Sequence, residues 1–330
     1  MISRVFCGAL LAALAMLQAP PAHAQRTLFV AEPTHGVGYL PLYVAIRNGY
    51  FAKDGLDVKV MTVDGGSTHT NAVLTGQAFA FIGGPEHNAY AKLKGGELRA
   101  VANVVDRGNV YFTARVGSEP KAGQEWPAYF KGKSFAVGLY GGTPNSITRY
   151  LLKKWNLDAR NDVTLIEMTT SAILAGVKSG RAEIGVTSEP LLTQGVKAGL
   201  WTEPVINIPT LLGPYAYSTL NVRLESITKE PELVQKFVRG VVQGIKFTYA
   251  DPEGAAAIAK KEFPTMALDD LKATLDRTFA DGLWSRDGMV TAEAWNTGEA
   301  VVLSAGILKK PVPYDDIIDM RFVRSVNAAN

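Results

Sequence analysis

Short apolar runs alternate with amphipathic stretches through the first two thirds of the chain. The runs predict strands at residues 27–32, 57–63, 79–82, 99–105, 110–116, 134–138, 163–168 and 183–187. The stretches between them show helical periodicity at residues 39–51, 68–75, 144–155, 171–178 and 190–198. This alternation is typical of an α/β fold with mostly parallel sheets. From about residue 231 onward the pattern becomes almost wholly helical.

A weak internal repeat indicates that the α/β region has two similar halves. The pattern from Val73 to Ile82 returns from Val177 to Val186, and each copy predicts a helix end, a glycine C-cap and a buried strand. Strand–glycine–helix units also resemble one another in any α/β protein, so the repeat alone leaves that alternative open. Two lobes beginning near Thr27 and Lys133 would enclose a cleft, where ligands commonly bind.

The first 24 residues have the pattern of a secretory signal peptide. Arg4 precedes a 13-residue apolar run at 5–17, and Ala22-His23-Ala24 is typical of a cleavage site before Gln25. The alternative is an uncleaved anchor, but this run is short for a bilayer core of about 30 Å. We therefore expect a soluble periplasmic protein. The single cysteine, Cys7, lies in this segment, so a chain beginning at Gln25 has no disulfide and no thiolate nucleophile.

Composition and charge narrow the classes of function. The 330 residues include 34 Lys and Arg against 31 Asp and Glu, and no basic run exceeds two residues. Nucleic-acid binding usually requires a concentrated basic surface, so we expect no nucleic-acid partner. Gly132-Lys133-Ser134 lacks the first glycine of a P-loop, and Gly65-Gly66-Ser67-Thr68-His69 lacks the second glycine of a nucleophile elbow.

Five polar, glycine-rich loops follow successive predicted strands. In open α/β sheets such loops converge beyond the carboxyl ends of the strands and hold ligands. Ser67 and Thr143 would serve equally well as helix N-caps, and that alternative stays open. The loops and the helices they open supply the predicted ligand-binding residues: His35, Tyr39, Gly66, Ser67, Thr68, Glu86, His87, Tyr140, Gly142, Thr143, Asn145 and Glu189.

The charges in these loops bear on the ligand. The loops contain no Lys or Arg, whereas Glu86 and Glu189 occupy similar points of the internal repeat. If both acids face the cleft, a ligand with N–H donors, such as an aminopyrimidine, fits better than an oxyanion; if they face solvent, glycine amides and hydroxyls would suit a sulfonate, nitrate or carboxylate. His35, His69 and His87 all follow first-half strands and could meet, but we predict no metal site and no cofactor.

Several motifs in order along the chain resemble the SsuA/THI5-like (NMT1-like) substrate-binding proteins. They are Tyr39-Leu40-Pro41-Leu42-Tyr43-Val44-Ala45, Gly49-Tyr50-Phe51, Gly55-Leu56-Asp57-Val58, Gly65-Gly66-Ser67, Leu74-Thr75-Gly76, Lys131-Gly132-Lys133 and Gly180-Arg181-Ala182. The resemblance implies a type II periplasmic-binding-protein fold: lobe 1 at residues 25–114 and 215–330, lobe 2 at 115–214, crossings near Thr113 and Pro214, and a ligand cleft between the lobes.

The resemblance also implies a function. Most members are exported receptors that deliver a small solute to an inner-membrane ABC permease, and we expect a monomer with that role. An exported sensory module is an alternative. Some members make the thiamin pyrimidine with a cysteine-rich motif, which this chain lacks, and only His35 resembles part of their histidine segment. We therefore expect a binding protein and not an enzyme.

Overall fold

The computed structural model describes residues 25–63 and 67–329, which form two five-stranded sheets. The first sheet has the order β2-β1-β3-β10-β4, and the second has the order β7-β6-β8-β5-β9. The strands are β1 (Arg26–Glu32), β2 (Leu56–Thr62), β3 (Ala80–Gly83), β4 (Leu98–Arg107), β5 (Tyr111–Ala114), β6 (Ser134–Gly138), β7 (Thr164–Met168), β8 (Ile184–Thr187), β9 (Ile206–Asn207) and β10 (Pro214–Arg223).

The two sheets share one topology. In the first, β1 pairs in parallel with β2 and β3, while β10 is antiparallel to β3 and β4. In the second, β6 pairs in parallel with β7 and β8, while β5 is antiparallel to β8 and β9. In each sheet, the strand that is antiparallel to both of its neighbours is the strand that directly follows a crossing between the lobes. The predicted α/β fold with two lobes is confirmed, but the sheets are mixed and not mostly parallel, because this strand enters each sheet in the opposite direction.

Fourteen helices lie within the described part of the chain. They are α1 (Leu40–Arg47), α2 (Thr68–Leu74), α3 (Glu86–Lys92), α4 (Trp126–Phe130), α5 (Thr143–Lys154), α6 (Ile173–Lys178), α7 (Leu191–Lys197), α8 (Ile208–Leu212), α9 (Leu224–Lys229), α10 (Pro231–Ala250), α11 (Pro252–Glu262), α12 (Leu268–Ala280), α13 (Ala292–Ser304) and α14 (Arg321–Ala328). Of these helices, none is long and apolar enough to cross a membrane. The predicted signal peptide lies outside the described residues.

The first crossing comes earlier in the chain than the expected position near Thr113. Strand β5 was expected in the first lobe, but it pairs with Ile184–Thr187 and therefore belongs to the second sheet. The chain leaves the first sheet at Arg107, so the crossing lies in the few residues between Arg107 and Tyr111. On its return, the chain rejoins the first sheet where β10 begins at Pro214. The physical reason is that the buried β5 satisfies its backbone groups only by pairing with β8 and β9.

The helical C-terminal third packs back onto the first lobe. Helix α13 lies on β10, and the long helix α10 lies against α1. Two glycines allow the close approach of α10: a Cβ at Gly240 would lie 2.5 Å from the ring of Phe51, and one at Gly244 would lie 2.2 Å from the carbonyl oxygen of Pro41. Helix α10 therefore lies closer to Phe51 and to Pro41 of α1 than a side chain at either glycine position would permit.

We expect Gly244→Ala to destabilise the protein. The added methyl meets backbone and not a flexible side chain, and over-packing of this kind costs about 1–3 kcal/mol. Thermal unfolding should show a melting temperature lowered by several degrees. Lys246→Ala, an exposed substitution on the same helix, is the control and should leave the melting temperature nearly unchanged. Equal melting temperatures for Gly244→Ala and the wild type would contradict the close packing.

Candidate ligand-binding site between the lobes

A cavity lies between the two lobes, where the carboxyl ends of the parallel strands face each other. Loops after β1 and β3 border it from the first lobe, and loops after β6, β7 and β8 border it from the second. The first crossing adds Asn109 and Val110, and β10 adds Tyr217 and Ser218. Both lobes and a crossing therefore line one cavity. Its position beyond the carboxyl ends of the strands is the one expected for a ligand site in α/β sheets.

The first lobe gives the cavity an aromatic wall. Tyr39, Tyr217, His69 and His87 all line it, and all four are buried. The rings of His69 and His87 meet edge to face, with centroids 4.7 Å apart. The hydroxyl of Tyr39 is hydrogen-bonded to Ser218, and burial raises the pKa of Tyr39, so this tyrosine stays neutral. Flat rings with polar edges are suited to contact a flat ligand by stacking or edge-to-face packing.

The second lobe gives the cavity a wall of aliphatic and hydroxyl groups. Its aliphatic members are Leu139, Met168, Ile173 and Val186. Its hydroxyl members are Thr143, Thr169, Thr170, Thr187 and Ser188. A wall that combines apolar surface with hydroxyls can bury the face of a ring and bind polar atoms at the ring's edge.

No Lys, Arg, Asp or Glu lines the cavity within the described part of the chain. The ionisable groups on the wall are two histidines and two tyrosines. Burying a charged group away from an opposite charge is costly, so the absence of these four residue types bears on which ligands the cavity can hold.

Glu86 lies directly behind the wall and does not line the cavity. Thr143, which comes from the other lobe, donates its hydroxyl to Glu86 Oε1 at 2.5 Å. A Cβ on the wall residue Gly84 would lie 2.0 Å from Glu86 Oε2, so the carboxyl occupies the space that a side chain at position 84 would need. Oε2 has no hydrogen-bond partner among the described residues, and burial raises the pKa of Glu86.

Glu189 does not face the cavity, contrary to the sequence-based expectation. Its carboxylate accepts hydrogen bonds from Thr193, at the start of α7, and from Thr274 and Arg277 on α12. The physical reason is that four donor groups of these three residues already bind the carboxylate and hold it outside the cavity lining. Its neighbours Thr187 and Ser188 line the wall instead.

His35 is also turned away from the cavity. Its Nδ1 lies 2.9 Å from Glu32 Oε1, and its ring stacks on Tyr43 with a centroid distance of 4.7 Å. The hydrogen bond to Glu32 raises the pKa of His35. Glu32 is fully buried and also accepts hydrogen bonds from Tyr43 and Thr62. His35 is therefore part of a polar network of the first lobe and, contrary to the expectation, does not line the cavity.

Four other predicted residues do not line the cavity. Ser67 and Thr68 are exposed at the start of α2, and Ser67 makes no capping hydrogen bond. Tyr140 is 54% exposed, beneath the guanidinium of Arg149. Asn145 is buried, but it donates to the carbonyl oxygen of Gly138 and accepts from Arg149.

Tyr39, His87, Gly142 and Thr143 do lie on the wall, whereas Gly66 lies outside the described residues. The N-cap of α5 is Gly142, so the Thr143 hydroxyl does not serve as its cap and is bonded to Glu86 instead.

The three histidines do not come together. His69 and His87 are adjacent, but His35 is held by Glu32 and Tyr43. Across residues 25–63 and 67–329, no group of three or more His, Cys, Asp or Glu side chains is placed to hold a metal ion.

The sequence profile of the NMT1/THI5-like family matches residues 37–255, more than half of the chain. The chain belongs to the NMT1/THI5-like family. The resemblance carried by the motifs from Tyr39 onward is thereby confirmed.

Relatives of this NMT1/THI5-like protein include binding proteins and one enzyme. The putative binding protein YtlA of Bacillus subtilis is 27% identical, covering 91% of this chain and 89% of that protein. The riboflavin-binding protein RibY of Chloroflexus aurantiacus is 26% identical, covering 94% and 91%. A 4-amino-5-hydroxymethyl-2-methylpyrimidine phosphate synthase of Uromyces fabae is 25% identical, covering 81% and 77%.

Solved structures share the fold. The alkanesulfonate-binding protein SsuA from Xanthomonas axonopodis, bound to MOPS, superposes with a TM-score of 0.71. It is 16% identical, and the match covers 89% of this chain and 98% of SsuA. The periplasmic-binding-protein fold predicted from the sequence is thus confirmed at the level of architecture.

Sequence reasoning missed part of the wall of this family member. Asn109, Val110, Tyr217 and Ser218 lie on crossings or on β10, where no glycine-rich loop marks them. Thr169 and Thr170 follow β7, whose end is not among the five predicted loops. These two residues were predictable, because the carboxyl ends of all parallel strands meet at the same edge of a sheet.

We expect the stability of Glu86→Gln relative to the wild type to depend on pH. Burial favours the protonated form of Glu86, so the native state binds more protons than the unfolded chain above pH about 4.5. Wild-type stability should therefore fall as the pH rises through the raised native pKa, whereas a neutral glutamine has no such loss. The melting temperature of Glu86→Gln relative to that of the wild type should therefore rise as the pH increases from 4.5 to 8.

Glu125→Gln, the same exchange at an exposed position, provides the baseline for that comparison. If the difference in melting temperature between Glu86→Gln and the wild type stays constant across this pH range, that result would contradict a raised pKa of the buried Glu86.

Proposed function

We propose that this protein is an exported solute receptor of an ABC importer that binds a small, neutral heteroaromatic solute between its lobes and delivers it to an inner-membrane permease. The ligand class that we infer is a pyrimidine-like or related nitrogen-containing ring. The role is binding without turnover, so the solute should be released unchanged.

The cavity wall carries this proposal. The first-lobe side is aromatic, with Tyr39, Tyr217 and the adjacent His69 and His87, and the second-lobe side combines aliphatic and hydroxyl groups. A planar ring would fit between such surfaces, and the Thr and Ser hydroxyls would bind the polar atoms on its edge.

Two relatives support the same ligand class. RibY is named as a riboflavin-binding protein, and the Uromyces fabae relative is named as a pyrimidine phosphate synthase. Both names refer to nitrogen heterocycles. The lack of a charged side chain on the described wall agrees with this class better than with sulfonate or nitrate.

A binding panel tests the ligand class. We expect 4-amino-5-hydroxymethyl-2-methylpyrimidine, cytosine or riboflavin to raise the melting temperature and to give a saturable calorimetric isotherm. At a ligand concentration of about 100 times Kd the stabilisation should approach about 2.7 kcal/mol. Ethanesulfonate and nitrate should give neither signal, and mass spectrometry should recover the bound ring unchanged. Binding of the two anions alone would reject the neutral-ring proposal.

Occluding the cavity tests where the ligand binds. Thr170 lines the cavity at its partly exposed rim, whereas its neighbour Ser171 is exposed and does not line it. Thr170→Trp should weaken binding of the best ring from the panel at least about tenfold, a loss of about 1.4 kcal/mol. Ser171→Trp, the matched control in the same turn, should retain wild-type affinity. Equal affinities for the two variants would mean that the ligand binds elsewhere.

A further inference from the structure

Helix α12 contacts both lobes. On one side it packs against α11 and against the turn at residues 37–39, which belong to the first lobe. On the other side it packs against α7 of the second lobe. Thr274, Arg277 and Asp281 recur at intervals of three and four residues, so they lie on one face of the helix. All three bind residues of the second lobe.

Arg277 forms two ion pairs with the second lobe. Its Nε lies 2.9 Å from Glu189 Oε1, and its Nη2 lies 2.7 Å from Glu203 Oε2. One guanidinium thus pairs with two carboxylates of the second lobe, and these two charges raise the pKa of Arg277 against the opposing effect of burial. A guanidinium in a fixed fork geometry restricts orientation more than a single flexible ion pair does.

Glu189 transmits this restraint to the cavity wall. The same carboxylate accepts from the backbone and the hydroxyl of Thr193 at 3.1 and 2.8 Å, which fixes the start of α7. Thr274 adds a hydrogen bond from α12 at 3.2 Å. Ser188, next to Glu189 in the chain, lines the cavity. A displacement of Glu189 would therefore move a segment of the ligand wall.

At the C-cap of α12, the contacts are with residues next to the crossings. Asp281 accepts hydrogen bonds from Tyr111, just after the first crossing, and from Asn207, shortly before the second. These distances are 2.6 and 2.8 Å. The helix therefore binds the second lobe near both connecting segments and also at Glu189, next to the wall residue Ser188. Two separate attachments restrict the rotation of the second lobe relative to the first.

We propose that Arg277 is a positioning residue: through Glu189 and Glu203 it holds the second lobe, with its Ser188 wall segment, at a fixed angle to the first lobe before any ligand binds. Arg277 does not line the cavity, so its effect on the solute is indirect. A receptor held near its binding-competent angle loses less of its affinity to conformational change. The inference depends on the two-lobed fold and not on the ligand class.

The test measures the angle without ligand. A chain beginning at Gln25 has no cysteine, so Asn71→Cys and Ser171→Cys supply the only two spin-label sites. Both positions are exposed, and each lies within two residues of the cavity wall on its own lobe. Double electron–electron resonance on this pair reports the separation of the lobes.

Arg277→Gln should shift the distance distribution of the ligand-free protein to longer values and broaden it. Glu203→Gln removes one of the two ion pairs at an exposed carboxylate and should give a smaller shift in the same direction. Lys272→Gln breaks the exposed Lys272–Asp276 pair on the same helix and is the matched control, with no shift expected.

Melting curves separate positioning from mere stability. A lowered melting temperature for Arg277→Gln with an unchanged distance distribution would overturn the proposal, because a purely structural ion pair gives that result. If Arg277→Gln does not fold, Glu203→Gln decides alone: a shifted distribution supports the proposal, and a wild-type distribution rejects it. Failure of every compound in the ligand panel would not alter this measurement.

Discussion

The fold depends on one constraint: each crossing between the lobes leads directly into a strand that fills an interior position of a sheet. Strand β5 fills the second sheet between β8 and β9, and β10 fills the first between β3 and β4. Both are buried and antiparallel to their neighbours, so removing either would leave unpaired backbone groups in a core. The lobes are therefore tied together through their sheets, and the cavity lies where the strand ends of both sheets face each other.

Polar contacts join the lobes in two places. At the cavity, the wall residue Thr143 donates to the buried Glu86. Away from the wall, Arg277 on α12 and Asp281 at its C-cap bind the second lobe through charged groups. The described wall contains no Lys, Arg, Asp or Glu side chain. The charged contacts between the lobes thus lie outside the cavity wall, which consists of aromatic, aliphatic and hydroxyl groups.

The candidate site was predictable in part. The strand-end rule led to the loops that contain Tyr39, His87, Gly142 and Thr143, and these residues line the cavity. The same rule could not tell which side chains in a loop point inward, because that depends on the partners that each side chain meets in the folded chain. Glu189 is held by Arg277, which lies 88 positions along the chain, whereas His35 is held by Glu32, only three positions before it. Neither side chain lines the cavity.

The sequence by itself determined the α/β alternation, the duplicated lobe and the family, because periodicity, glycine C-caps and motif order are local properties of the chain. Only the tertiary structure decided that β5 belongs to the second lobe, that Glu86 lies behind Gly84, and that α12 joins the two lobes. These features depend on contacts between segments distant in sequence. A local sequence pattern does not specify such contacts, because the same loop residue can cap a helix, face solvent or form an ion pair. Which of these it does depends on the segments that lie next to it in the fold.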